Sequence, residues 1–173
     1  ASTSRIILAP MEGLADDLLR GVLTRIGGYD WGICEFIRVS ANILPVKTYQ
    51  RMCQVLLNNS LTEAGTPMRV QLLGSDPYFM AENARRLVSL RPAGVDLKFG
   101  CPAPTVNRHR GGAALLGEPE LLNQIASAVR APSCGSETLV SRVRMPSGRL
   151  CNSRAAPVTS AARMAEPWVR EPK

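Results

Sequence analysis

The chain predicts an α/β protein built on a parallel sheet. Short runs of β-favouring residues alternate with longer segments whose apolar residues recur at helical spacing. The run at 68–73 reads as apolar on both faces, as an interior parallel strand should. Of 173 residues 45% are apolar, enough to bury the core of one domain.

Each element follows from local pattern. Residues 6–10 form a short buried strand, and Leu14, Leu18, Leu19, Val22, Leu23 and Ile26 mark a helix that Gly27 and Gly28 end. Residues 29–37 supply a second strand. Apolar spacing over 46–57 predicts a second helix, broken by Asn58, Asn59 and Ser60. After the third strand at 68–73, Asp76 is an N-cap acceptor before Pro77 at the first helical position, and that helix runs to Leu90. Residues 94–99 are the fourth strand. A fourth helix begins near Pro119 and carries Leu121, Leu122, Ile125 and Val129 on one face. Residues 138–145 are a candidate fifth strand. Residues 146–173 are rich in Ser, Ala, Pro and Arg and have no Phe, Tyr or Ile, so this irregular tail is expected to be disordered or unrelated to the preceding pattern.

A formal charge of +7 and a pI near 9.6 favour a polyanionic partner. Aromatic residues are only 5%, so RNA contacts would rest on arginine and lysine rather than on a stacking platform. Cysteines 34, 53, 101, 134 and 151 form no CxxC pair, and a single histidine cannot complete a zinc-finger pattern. Free thiols in a reducing compartment, and no metal, are expected. The first apolar run is far shorter than a signal h-region or membrane span, so a cytoplasmic protein with no membrane partner is expected.

The densest chemical information lies in Val95-Asp96-Leu97-Lys98-Phe99-Gly100-Cys101-Pro102, followed by Asn107-Arg108-His109-Arg110-Gly111-Gly112. An apolar strand feeds a Gly-Cys-Pro turn and then a basic, glycine-rich loop. Catalytic groups in α/β proteins tend to sit at such strand ends, which makes Cys101 a candidate chemical group. Gln71 is a polar amide inside a strand and needs a partner if buried.

These residues, with Leu8-Ala9-Pro10-Met11-Glu12-Gly13, Glu35-Phe36-Ile37-Arg38-Val39 and Arg69-Val70-Gln71-Leu72-Leu73-Gly74, closely resemble the signature of tRNA-dihydrouridine synthases, in particular the bacterial C type. The resemblance implies a partial TIM (β/α)8 barrel, roughly the first four to five βα units, with 1–145 forming the FMN-binding part. A complete barrel needs about 250 residues, so the chain holds roughly half of one. It also implies FMN as cofactor, NADPH as reductant and tRNA as partner.

Residue by residue, the resemblance makes Cys101 the acid that protonates carbon 5 of uracil while reduced FMN passes hydride to carbon 6. It assigns Pro10, Met11, Glu12 and Gln71 to the flavin. Arg142 falls where the family usually has a lysine near the flavin, by ungapped continuation from Cys101. Arg38 matches a position that the C type associates with tRNA, and Arg108 and Arg110, in a cationic loop beside Cys101, are candidate phosphate contacts, with Lys98 a further candidate for tRNA. Lys98 departs from the family's asparagine, exchanging a group that donates and accepts for one that only donates. His109 reads as a surface residue. A different class of function, a catalytically inactive basic fragment with a weak RNA-binding or interaction role, is the alternative; a flavin barrel acting on a free pyrimidine explains Arg38 and the basic loop less well.

Overall fold

The computed structural model describes residues 5–108, 110–130, 143–144 and 150–151. Strands β1 (Ile7–Leu8), β2 (Trp31–Ile33), β3 (Ile37–Arg38), β4 (Met68–Leu73) and β5 (Val95–Leu97) form one parallel sheet. β1 pairs with β2, β2 and then β3 run along one edge of β4, and β5 runs along the other. β4 thus has β2, β3 and β5 as its neighbours. Helices α1 (Asp17–Ile26), α2 (Val46–Met52), α3 (Pro77–Val88) and α5 (Pro119–Arg130) occupy the connections, with the single turn α4 (Pro104–Asn107) ahead of α5. This is the parallel α/β architecture expected. Two further segments, β6 (Val143–Arg144) and β7 (Leu150–Cys151), pair antiparallel. Most of 138–145, and all of the 146–173 tail except β7, lie outside the described residues.

β4 separates two environments. Met68, Val70 and Leu72 pack with Met80, Leu87, Ile125 and Val129 in the core beneath α3 and α5. The other face of the strand carries Arg69, Gln71 and Leu73, so β4 is apolar on one face and not on both. Period-two alternation forces this split once the odd residues turn away from the helices.

β2 and β3 are one strand interrupted by a bulge. Ile33 is opposite Arg69 and Ile37 opposite Leu72, so the outer strand takes four steps where β4 takes three. The extra residue changes which side chains face which way. Cys34 and Ile37 stay in the helix-side core, whereas Phe36 joins a separate cluster with Leu73, Cys101 and Val106.

α1 buries a different face from the one its apolar spacing indicates. Leu14, Leu18, Val22 and Ile26 are exposed, and Arg20 and Thr24 are buried. Arg20 donates through its two terminal guanidinium nitrogens to the Ala15 carbonyl and Asp17, while Thr24 meets the Thr62 hydroxyl at 3.1 Å. Polar partners, Thr62 among them from a distant part of the chain, thus make the polar flank the inner one. The helix expected over 46–57 is also broken. Cys53 leaves helical dihedrals and a 3₁₀ segment follows over Gln54–Asn58. Tyr49, Cys53 and Leu56 stay buried across the break, so hydrophobic periodicity alone does not detect it. α3 begins as expected, with Asp76 accepting from the Phe79 N–H at 3.0 Å.

Candidate active site

The carboxyl end of β4, the loop after β5 and the segment leading into β3 meet at Cys101. Its side chain is 4% exposed and packs with Phe36, Leu73 and Val106. The loop after β5 folds back over it: the Cys101 carbonyl accepts from the Ala113 N–H at 2.9 Å. Asn107 pins both arms of that loop, donating to the Pro102 carbonyl at 3.1 Å and accepting from the Ala114 N–H at 3.1 Å.

Gln71 lies two residues before Leu73 on the same face of β4. It is 6% exposed and stands opposite Asp96 in the β4–β5 register. Its Nε2 donates to Asp96 Oδ2 at 2.6 Å, while its buried Oε1 has no hydrogen-bond partner. Lys98, half-buried at the end of β5, holds its ammonium 4.1 Å from the centre of the Phe36 ring. At that distance the ammonium and the ring attract by cation–π interaction.

The exit of β1 is a tight turn. Met11 accepts from the N–H groups of Leu14 and Ala15, at 3.1 and 2.8 Å, and the Gly13 N–H donates to Glu35 Oε1 at 2.8 Å. Pro10 is half-buried; Met11 and Glu12 are exposed. The bulged segment thus ties the β1 turn, through Glu35, to the Cys101 cluster, through Phe36.

Arg38 is exposed at the end of β3 and donates to the Thr105 carbonyl at 3.2 Å. With Ser40, Leu73, Ser75, Asp76 and Val106 it lines a cavity of about 390 Å³ beside the Cys101 loop. Arg108 is exposed, and Arg110 forms an ion pair with Glu118 at 2.7 Å. His109 and Arg142 lie outside the described residues.

The structure therefore brings Cys101, Lys98 and Arg38 around one loop system, with Gln71 on the same sheet face and the 10–12 turn linked through Glu35. Sequence reasoning gave no role to Phe36, Glu35, Asp96 or Asn107. Asp96 had a readable signal, an acid inside an apolar strand like the amide of Gln71. Cys34 and Cys53 are free and fully buried in the helix-side core, which separates them from Cys101. Among the described residues no cluster of His, Cys, Asp and Glu could hold a metal, and no helix is long and apolar enough to cross a membrane.

Residues 7–145 match the family model described as dihydrouridine synthase. The chain is 60% identical over 126 residues to the tRNA-dihydrouridine(16) synthase of Aquipseudomonas alcaligenes, covering 73% of this chain and 40% of that protein. It is 50% identical over 142 residues to the protein of that name from Ralstonia nicotianae, and 51% over 142 residues to that of Cupriavidus necator, covering in each case 82% of this chain and 44% of the relative. The chain spans less than half the length of these curated relatives.

Proposed function

The chain belongs to the dihydrouridine synthase family, and from that premise we propose that it carries the acid side and part of the flavin side of a site that reduces uridine to 5,6-dihydrouridine in tRNA. The strands β1 to β5 are read as part of a TIM barrel wall, with 1–145 as the flavin-binding portion. FMN would supply the hydride when bound, with NADPH as reductant of the flavin.

The observation that carries this reading is the pairing, on one sheet face, of a thiol at a strand end with a buried amide oxygen that lacks a partner. A flavin fits that oxygen because the pyrimidine edge of the ring presents an N–H donor. Gln71 would hold that edge, and the turn of Pro10, Met11 and Glu12 would present its backbone to the ring. Arg142 is proposed as the nearby cation.

Cys101 would hold the proton destined for carbon 5 of the uracil. Its Sγ–H bond breaks as the C5–H bond forms, leaving a thiolate that recovers a proton from solvent. Because Cys101 is buried, the loop over residues 102–112 has to yield before the thiol touches a base. Arg38, Lys98, Arg108 and Arg110 would meet the RNA, the arginines chiefly at phosphate, where positive charge matters more than a unique geometry.

The test is a flavin-fluorescence titration of the chain with FMN, followed by NADPH-dependent dihydrouridine formation on tRNA. Saturable binding supports the reading. A folded chain that leaves FMN free favours the inactive RNA-binding fragment, the reading that the replacement of asparagine by Lys98 also favours.

A further inference from the structure

Gln71 and Asp96 are buried neighbours on adjacent strands, 6% and 5% exposed. The contact between them is a short 2.6 Å hydrogen bond. A side-chain amide can turn either way, presenting its oxygen or its nitrogen to a ligand, and only its partners decide which. Here the Asp96 carboxylate oxygen accepts from the Gln71 Nε2. The amide nitrogen therefore faces Asp96, and the carbonyl oxygen is left as the one atom of Gln71 without a partner. A buried acceptor in that state costs free energy until a donor arrives.

We propose that Asp96 is a positioning residue that locks the Gln71 amide with its oxygen turned away from the carboxylate, so that the site selects a ring bearing an imide N–H. The inference rests on the flavin and uridine reading above and deepens it. Both rings carry an imide N–H flanked by two carbonyls, and the same oxygen would read either. Asp96 acts through Gln71 and need not touch the ligand.

The consequence is a specificity that Asp96 controls without contributing to it directly. Methylation of the imide nitrogen removes the donor and adds bulk. The full chain should bind FMN at least about tenfold more tightly than N3-methyl-FMN, the size of one lost hydrogen bond. If the imide belongs to the substrate, the same preference should appear between a short RNA containing uridine and one containing 3-methyluridine. In the Asp96→Asn variant the neighbouring amide can donate as well as accept, so Gln71 is free to turn and the preference should fall to less than about threefold. The isosteric exchange is also expected to keep the fold, checked by circular dichroism. If it does not, Asp96→Ser lifts the same acceptor-only constraint and is measured instead.

Discrimination by the native chain in the flavin pair assigns the oxygen to the cofactor, and discrimination in the RNA pair assigns it to the substrate; either supports the inference if the Asp96 variant loses it. Equal binding of methylated and unmethylated forms, or an unchanged ratio in the variant, overturns the inference and leaves the family reading standing. A folded native chain that binds neither FMN nor RNA overturns both.

Discussion

Gly112 lies against Cys101 so closely that a Cβ on it would stand 2.5 Å from the Cys101 carbonyl oxygen and 3.1 Å from the Cys101 Cβ. Gly112 also has φ +61°, in the left-handed region that favours glycine. Two independent constraints meet at this residue. Gly112→Ala should destabilise the protein by about 1–3 kcal/mol, through strain and displacement of the loop. Denaturant unfolding measures that loss, and faster alkylation of Cys101 by iodoacetamide should accompany it. Native stability and native alkylation together would show that the loop does not guard the thiol.

Asn107 is the other fixing point of that loop. Asn107→Ala removes bonds to Pro102 and Ala114 at 3.1 Å each. Both bonds lie on an exposed residue pair, so a loss of about 1 kcal/mol is expected, near the usual net value of a single bond. Amide exchange should rise over 102–114 and stay unchanged in β4. Uniform acceleration across the sheet would contradict a local role.

On the proposed function, Cys101→Ala in a full-length context should leave FMN binding intact and lower dihydrouridine formation by about 10²-fold or more, the usual contribution of a positioned acid. Fluorescence titration and single-turnover assays on tRNA separate the two effects. Unchanged turnover removes Cys101 from the role of proton donor.

Tyr49 makes stability pH-dependent at the alkaline end. Burial pushes its phenol up to about 12, against the smaller opposing pull of Arg86. The native state thus favours the neutral phenol more than the unfolded chain does. Its contribution is complete below pH 10 and is lost as pH rises through about 12. Tyr49→Phe should lower stability at pH 8, where the bond to Asn83 is lost, and flatten the decline in Tm between pH 10 and 12. An equally steep decline in the variant would assign it to other groups.

Raising salt should weaken tRNA binding, and Arg38→Ala should reduce the slope of log affinity against log salt by about 0.7–0.9 if Arg38 meets one phosphate. Arg110→Ala should change the slope less, because Glu118 already neutralises that side chain at 2.7 Å. Equal changes in the two variants would count against this distinction.

The α/β order and most of the strands were legible because each element carries its own signal. Asp76 with Pro77 marks the start of α3, and alternating strands and helices imply parallel pairing. Cys101 and Gln71 were legible as candidates because one is a chemistry-bearing residue at a strand end and the other a polar group inside a strand. The bulge was not legible, since Cys34, Glu35 and Phe36 look like a continuing strand. It exists only as a mismatch of register with β4. The inner face of α1 was misread for a related reason: partners such as Thr62 are distant in sequence.

By itself, the sequence determined the types of element, their order, the family signature and the chemical groups available, because these depend on local pattern and composition. Tertiary structure alone decided that Phe36 and Lys98 share the Cys101 surroundings, that Glu35 holds the β1 turn, and that Asp96 orients Gln71. Those relations join residues on different strands. Their geometry is set by strand register and by the one extra residue between β2 and β3, which no local preference encodes.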